Sequence, residues 1–213
     1  MAKNNKKVTN IFEVISRLPD VEFKHSFIPP LFLLCGFIPF IIDGIVNKFL
    51  MVLTICIFIL CPFIMLISLF EKEKEYKHIK MLMVFESELI VVLTITINLL
   101  IYYIFANLLI NIAITLLFIA LRIFKIYRLE KKIEKRTYGY NMDGKVNLSI
   151  IGLASYIGAR CGISANNATN PAIKSAYFLL ILLLIGNVLL ILFAVDPIVA
   201  FRIKLREKNK AVN

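Results

Sequence analysis

Residues 27–70 read FIPPLFLLCGFIPFIIDGIVNKFLMVLTICIFILCPFIMLISLF, and this stretch decides the fold. It is about 44 residues long, and its only charged residues are Asp43 and Lys48. Because a helix rises about 1.5 Å per residue, a single helix of this length would be about 66 Å long, roughly twice a 30 Å hydrocarbon core. The chain must therefore turn back near Asp43 and Lys48. We predict two membrane-spanning helices, near 27–45 and 50–70.

Two more apolar stretches, 89–121 and 176–201, indicate the same architecture. The first is again too long for one crossing, and the pair Ala106-Asn107 near its middle predicts a turn. Further spans are therefore expected near 88–105, 108–124 and 176–200. Residues 27–124 would form two transmembrane hairpins joined by a cytoplasmic loop at 71–87, for which a short surface helix is the alternative. The predicted fold class is an all-α, polytopic transmembrane helical bundle.

The composition agrees with a membrane protein. Hydrophobic residues make up 60% of the chain and the mean hydropathy is +0.83, whereas soluble domains contain roughly 45–50% apolar residues. The net charge of +11 comes from cations that flank the apolar spans. This distribution indicates contact with anionic lipid headgroups and excludes a separate nucleic-acid-binding domain, so we expect no nucleic-acid partner. The abundance of Ile, Asn and Lys is typical of AT-rich coding and points to the plasma membrane of a low-GC bacterium.

The number of crossings depends on residues 147–163, a short apolar segment that contains glycines and meets Arg160. Cytoplasmic segments of membrane proteins are enriched in Lys and Arg. Six spans, with 147–163 as a short fifth one, place every basic segment and both termini on the cytoplasmic side; these segments are 1–26, 71–87, 125–146 and 201–213. The alternative is five spans with 147–163 as a re-entrant or interfacial segment. We predict six, with a loop at 164–175 before the last span.

The N-terminal segment 1–26 carries apolar residues at helical spacing: Ile11, Phe12, Ile15 and Leu18. Such a pattern, ended by Pro19, predicts a short amphipathic helix. We expect it to lie on the membrane surface with its apolar face towards the lipid. The alternative is a solvated tail.

Ionisable residues inside spans are the first candidates for function, because a charge in the bilayer centre costs at least about 2.5 kcal/mol. By the predicted boundaries these are Asp43 and Asp196. Their functional interpretation is a proton or cation relay; the alternative is a pair of interfacial carboxylates reached by water. Polar residues within the spans, among them Asn98 and Asn187, are expected to hydrogen-bond to neighbouring helices.

A second candidate surface is the basic run that follows the fourth span. Its residues would contact anionic lipid or a partner protein: Arg122, Lys125, Arg128, Lys131, Lys132, Lys135 and Arg136.

The sequence contains no enzyme motif such as HExxH or GxSxG, and its four cysteines and two histidines lack zinc spacing. We therefore expect no catalytic residues, no metal and no cofactor. The leading hypothesis is a small non-enzymatic membrane protein that binds another membrane component, as immunity proteins or accessory subunits of secretion or transport machines do. The alternative is a transporter or channel subunit that moves a small solute or ion.

Overall fold

A computed structural model describes residues 11–16, 18–44, 48–71, 73–134, 144–193 and 196–212. These residues form helices and short connections, and no strand occurs among them. In chain order the α-helices are α1 Ile11–Ser16, α2 Ile28–Gly36, α3 Ile38–Ile42, α4 Lys48–Leu69, α5 Lys74–Phe105, α6 Leu108–Glu134, α7 Gly144–Asn167, α8 Pro171–Phe193 and α9 Asp196–Val212. A short 3-10 helix, Phe23–Phe27, precedes α2.

Five of the described helical stretches are long and apolar enough to cross a membrane. They are Phe23–Ile42, Lys48–Leu69, Tyr76–Phe105, Leu108–Ile133 and Pro171–Arg206. The prediction of an all-α helical bundle is thus confirmed, and the five stretches indicate a multi-pass membrane protein.

The central helix is α5, which packs against α2, α4, α6, α8 and α9. Successive residues of a helix are about 100° apart, so α5 presents different faces to different neighbours. Val92 joins a cluster with Leu33 of α2 and Cys61 of α4, whereas Ile97 joins a cluster with Leu180 of α8. After Glu88 most residues of α5 are apolar, because most of its surface there meets another helix or lipid.

One end of the bundle gathers α1, the start of α5, the end of α6 and α9; we call it the basic end, and the opposite one the far end. Here Ile11 and Ile15 are buried against Ile79 of α5, Ile126 of α6 and neighbouring residues of α9. The apolar face of α1 therefore lies on the protein itself. Our expectation that this face contacts lipid was wrong, because the start of α5, the end of α6 and the start of α9 together offer it an apolar surface within the protein.

A histidine holds α1 in this place. His78 of α5 has Nδ1 2.9 Å from Oδ1 of Asp20 and Nε2 3.3 Å from the carbonyl oxygen of Ile15. Between α1 and the first span, the carboxylate of Glu22 is paired with Lys24 at 2.9 Å. The hydrogen bond and the charge of Lys24 lower the pKa of Glu22, although the pair is exposed.

The turn between α5 and α6 lies at the predicted residues. Ala106 adopts a left-handed conformation, with φ 48°, and its N–H donates to the carbonyl of Tyr102 at 2.8 Å. The side-chain oxygen of Asn107 then accepts from the N–H of Leu109 at 2.9 Å. A left-handed residue and an Asn cap end one helix and start the next.

Two predicted loops are largely helical. Segment 71–87 is helical from Lys74 onward and continuous with the third span, so α5 is one helix of 32 residues. Segment 164–175 is shortened to three residues between α7, which ends at Asn167, and α8, which starts at Pro171. In both cases helix–helix packing extends the helix through polar residues that sequence patterns assign to loops.

The path of α7 bears on the number of crossings. Tyr177 near the start of α8 contacts Phe105 at the far end, with ring centroids 6.2 Å apart, and α9 after α8 lies at the basic end. Since α7 packs along α8 and joins it at the far end, it extends back towards the basic end. Its 24 residues would measure about 36 Å. Because α7 is not among the five stretches found in the described part of the chain, six crossings stay a prediction.

Candidate intramembrane charged site

Two carboxylates lie on α5 inside the stretch Tyr76–Phe105: Glu86 and Glu88. They precede Phe105 by about 28 Å and 26 Å along the helix. If Phe105 marks the far boundary of a 30 Å hydrocarbon core, both carboxylates lie within that core, towards the basic end. Residues two positions apart on a helix differ by about 200°, so the two side chains leave α5 on nearly opposite sides.

Glu88 faces the side of α4. Its residue exposure is 7%, and neither Oε1 nor Oε2 has a hydrogen-bond partner in the described part of the chain. Val92, one helical turn after Glu88 on the same face of α5, belongs to a buried cluster with Cys61 of α4. A buried ionised carboxylate without a hydrogen bond is costly, so this side chain needs either a proton or a ligand.

Glu86 faces α6 and α9. Arg122 of α6 and Asp196 of α9 are its charged neighbours. Its Oε2 is buried and has no hydrogen-bond partner among the residues that the structure describes. On this side of α5 the site thus combines the positive charge of Arg122 with the carboxylates of Glu86 and Asp196, one residue from each of three helices.

Arg122 is placed by its contact with the residue between the two glutamates. Its Nη2 donates to Oγ of Ser87 at 3.0 Å, which joins α6 to α5. The sequence assigned Arg122 to the basic surface that follows the fourth span. Instead, it is half-buried within Leu108–Ile133 and points into the bundle.

The two carboxylates predicted from the sequence lie at opposite ends. Asp196 starts α9 at the basic end, beside Glu86. Asp43 ends α3 at the far end, where its Oδ2 accepts from the hydroxyl of Tyr103 at 2.6 Å. Asp196 therefore belongs to the charged site, whereas Asp43 forms an exposed contact between the first span and α5.

The remaining basic residues follow α6 to the basic end. Nζ of Lys131 lies 5.8 Å from the ring centroid of Tyr127. Lys125, Arg128 and Lys132 also make contacts, while Lys135 and Arg136 lie outside the described residues. Glu130 of α6 accepts from Arg202 of α9 at 3.3 Å, so part of the positive charge at this end is balanced within the protein.

Towards the far end from the charged site, polar residues join α5 to its neighbours as expected. Asn98 donates from Nδ2 to Oγ1 of Thr115 on α6 at 2.8 Å. Asn187 of α8 donates from Nδ2 to Oγ1 of Thr94 at 3.3 Å.

Sequence reasoning missed Glu86 and Glu88 because it ended the cytoplasmic loop at the last charged residue before the long apolar run. The available signal was the spacing of Ile79, Leu82 and Phe85, which continues the helix through the glutamates. Across the described residues, no group of three or more His, Cys, Asp or Glu side chains is arranged to hold a metal ion. No protein-family model matches the chain, and comparisons with curated proteins and with solved structures give no significant match.

Proposed function

We propose that the protein is a transporter or channel subunit that conducts protons across a membrane, with Glu88 as the group that takes up and releases the proton. The observation that carries this proposal is the burial of Glu88 with both carboxylate oxygens unpartnered in the described part of the bundle. Intramembrane acidic residues that face a bundle interior commonly mark proton relays.

The cost of placing these charges supports a functional role. An apolar residue at position 88 would pack against Cys61 and Val92 without any penalty for burying a charge. A chain that carries two glutamates and Arg122 in one membrane region pays a stability cost that packing alone does not require. One carboxylate is enough to bind a proton, whereas a metal cation needs several ligands.

We propose a cytoplasmic location for the basic end. The positive-inside rule then places both termini in the cytoplasm, and six crossings satisfy it. In this orientation Glu88 lies near the cytoplasmic boundary of the bilayer core. The membrane would be the plasma membrane of a low-GC bacterium, with anionic headgroups around α6 and α9.

The test is proton flux into liposomes that contain the purified protein and a pH-sensitive dye, with potassium and valinomycin balancing the charge. We expect flux above protein-free liposomes, and a loss of at least tenfold in Glu88→Gln, which keeps the shape but cannot ionise. The matched control is Glu73→Gln, a carboxylate that is exposed before the start of α5. The proposal would be contradicted by equal flux in the wild type and in Glu88→Gln, provided that size-exclusion chromatography shows both proteins to be folded.

A second candidate is the non-enzymatic protein that binds another membrane component, which the sequence favoured. The observation behind it is the sparse coverage of α6: only 11% of its most apolar stretch is buried within the protein, against 44% for α5. That surface contacts either lipid or a partner helix. Purification in mild detergent distinguishes the two, because a partner would co-purify with the wild type and be lost from Ile119→Trp, whose position is half-exposed.

A further inference from the structure

We propose that polar side chains between α5, α6 and α8 form a hydrated column, in which ordered water molecules bind to buried amide oxygens inside the membrane region. The column consists of Thr94 and Asn98 of α5, Asn111 and Thr115 of α6, and Asn187 of α8. The argument depends on which atoms of the asparagines already have partners.

Asn187 is completely buried, and its amide can be oriented without ambiguity. Its contact is with Oγ1 of Thr94, but the hydroxyl hydrogen of Thr94 is already donated to the carbonyl of Ile90 at 2.7 Å. Thr94 can therefore only accept from Asn187, so the atom facing it must be Nδ2. Oδ1 of Asn187 is left buried, without a hydrogen-bond donor among the described residues.

Asn98 is fixed in the same way. Its Nδ2 donates to the carbonyl oxygen of Thr94 at 2.9 Å as well as to Oγ1 of Thr115. A carbonyl oxygen can only accept, so the nitrogen must lie on this side and the oxygen on the other. Oδ1 of Asn98 is again buried, and no donor from the described helices reaches it.

Asn111 adds a third acceptor, one helical turn before Thr115. It is 9% exposed, and its Oδ1 lacks a partner within the described ranges. The three amide oxygens share one deficit: each needs a hydrogen-bond donor. Buried water commonly supplies this to groups that the protein leaves unsatisfied.

Water fits the column better than a metal cation. Its five side chains are amides and hydroxyls, none of which carries a negative charge to balance a cation. The nearest intramembrane carboxylate on α5, Glu88, precedes Thr94 by about 9 Å along the helix. A water molecule brings donors without a net charge.

The position of the column suggests its role. Ser87 precedes Thr94 by seven residues, two helical turns, and therefore lies on the same face of α5. That face begins at the Ser87–Arg122 contact and extends towards the far end through Thr94 and Asn98. Water here would extend the polar face that begins at Ser87 and Arg122 towards the far end, on a side of α5 other than that of Glu88. This role rests on the proposed function, whereas hydration of the column does not.

The test is thiol accessibility in membranes, after replacing the four native cysteines with alanine. Asn187→Cys is compared with Val188→Cys, a residue at nearly the same depth that is also buried, at 7% exposure, but lies about 100° further around the helix. Methyl methanethiosulfonate reacts with the thiolate, which needs water to form. We expect modification of Asn187→Cys to be at least tenfold faster than that of Val188→Cys.

A second pair protects the test against a variant that does not fold. Asn98→Cys is compared with Ile97→Cys, which is fully buried and adjacent. Equal, slow modification within each folded pair would overturn the hydrated column and leave dry hydrogen bonds between helices. Fast labelling without proton flux would support the column and contradict the proposed function. Proton flux in the wild type, together with slow labelling of the cysteines at positions 98 and 187, would support the proposed function and contradict the column.

Discussion

Nη2 of Arg122 on α6 lies 3.0 Å from Oγ of Ser87 on α5. This hydrogen bond places a guanidinium between the two helices, next to the part of α5 that carries Glu86 and Glu88. A serine flanked by two glutamates thus positions a positive charge beside Glu86. Arg122 and Glu86 are charged neighbours and both are partly buried, so a change at one residue is expected to alter the cost of burying the other. This mutual dependence is measurable.

We expect Arg122→Leu to lower the free energy of unfolding by about 1–2 kcal/mol, because it removes the hydrogen bond to Ser87 and takes a positive neighbour away from Glu86. Replacing both partners should cost much less, so the double variant Arg122→Leu/Glu86→Leu should recover most of the lost stability. The measurement is unfolding in mixed detergent micelles by increasing denaturing detergent. Additive losses in the double variant would show that the two residues do not interact.

The approach of α2 to α5 gives a second prediction. A methyl group added to Gly36 would overlap with Cγ2 of Thr96, so in Gly36→Ala either the Thr96 side chain must rotate or the two helices must move apart. We expect a loss of about 1–3 kcal/mol, measured in the same unfolding assay. Gly186→Ala is the matched control, since a methyl group there meets no atom of the described residues within 4 Å.

The same contact offers a rescue. Thr96→Ser removes Cγ2 but keeps the hydroxyl, which donates to the carbonyl of Val92 at 2.8 Å. Gly36→Ala combined with Thr96→Ser should therefore regain stability relative to Gly36→Ala alone. If the double variant were less stable than Gly36→Ala, the close approach of these two residues would not be the cause.

The placement of α1 on the basic end leads to a third prediction. Ile15 is 1% exposed between helices, so Ile15→Ala should cost about 2–4 kcal/mol and expose the N-terminal segment to protease. Ser16→Ala, at the next, exposed position, should change neither. If α1 instead lay on the lipid surface, Ile15→Ala would leave the unfolding of the helical bundle unchanged.

The number of crossings is tested by the sidedness of labelling with a charged thiol reagent, in a cysteine-free chain. Six crossings place Glu73→Cys and Arg206→Cys on the same side and Ser164→Cys on the other; all three positions are exposed. Native Cys161 is a poor probe because it is 9% exposed. Labelling of Glu73→Cys and Arg206→Cys from opposite sides would establish an odd number of crossings between them.

Local chemistry explains which features the sequence could predict. The turn at Ala106-Asn107 was predictable, because an apolar run longer than the bilayer must break and an asparagine can cap the next helix. The start of the third span was not. Glu86 and Glu88 look like the end of a solvated loop, and the helix that continues through them packs against α4, α6 and α9, which a local pattern does not encode.

The candidate site was predictable only in part for the same reason. Asp196 was identified from its position in an apolar run, but its neighbour Glu86 is 110 residues earlier in the chain, a pairing that no local pattern encodes. Asp43 satisfied the same criterion, yet it contacts Tyr103 at the far end. Membrane depth alone does not tell a carboxylate within a charge network from one near an interface.

The measurement that tests the central claim most directly is the reversal potential of current through planar bilayers containing the purified protein, with a tenfold proton gradient and symmetric salt. Proton conduction predicts a reversal potential near 59 mV, the value for a single charge and a tenfold gradient. A conductance equal to that of protein-free bilayers, or a reversal potential that stays at zero when the proton gradient is imposed, would contradict it.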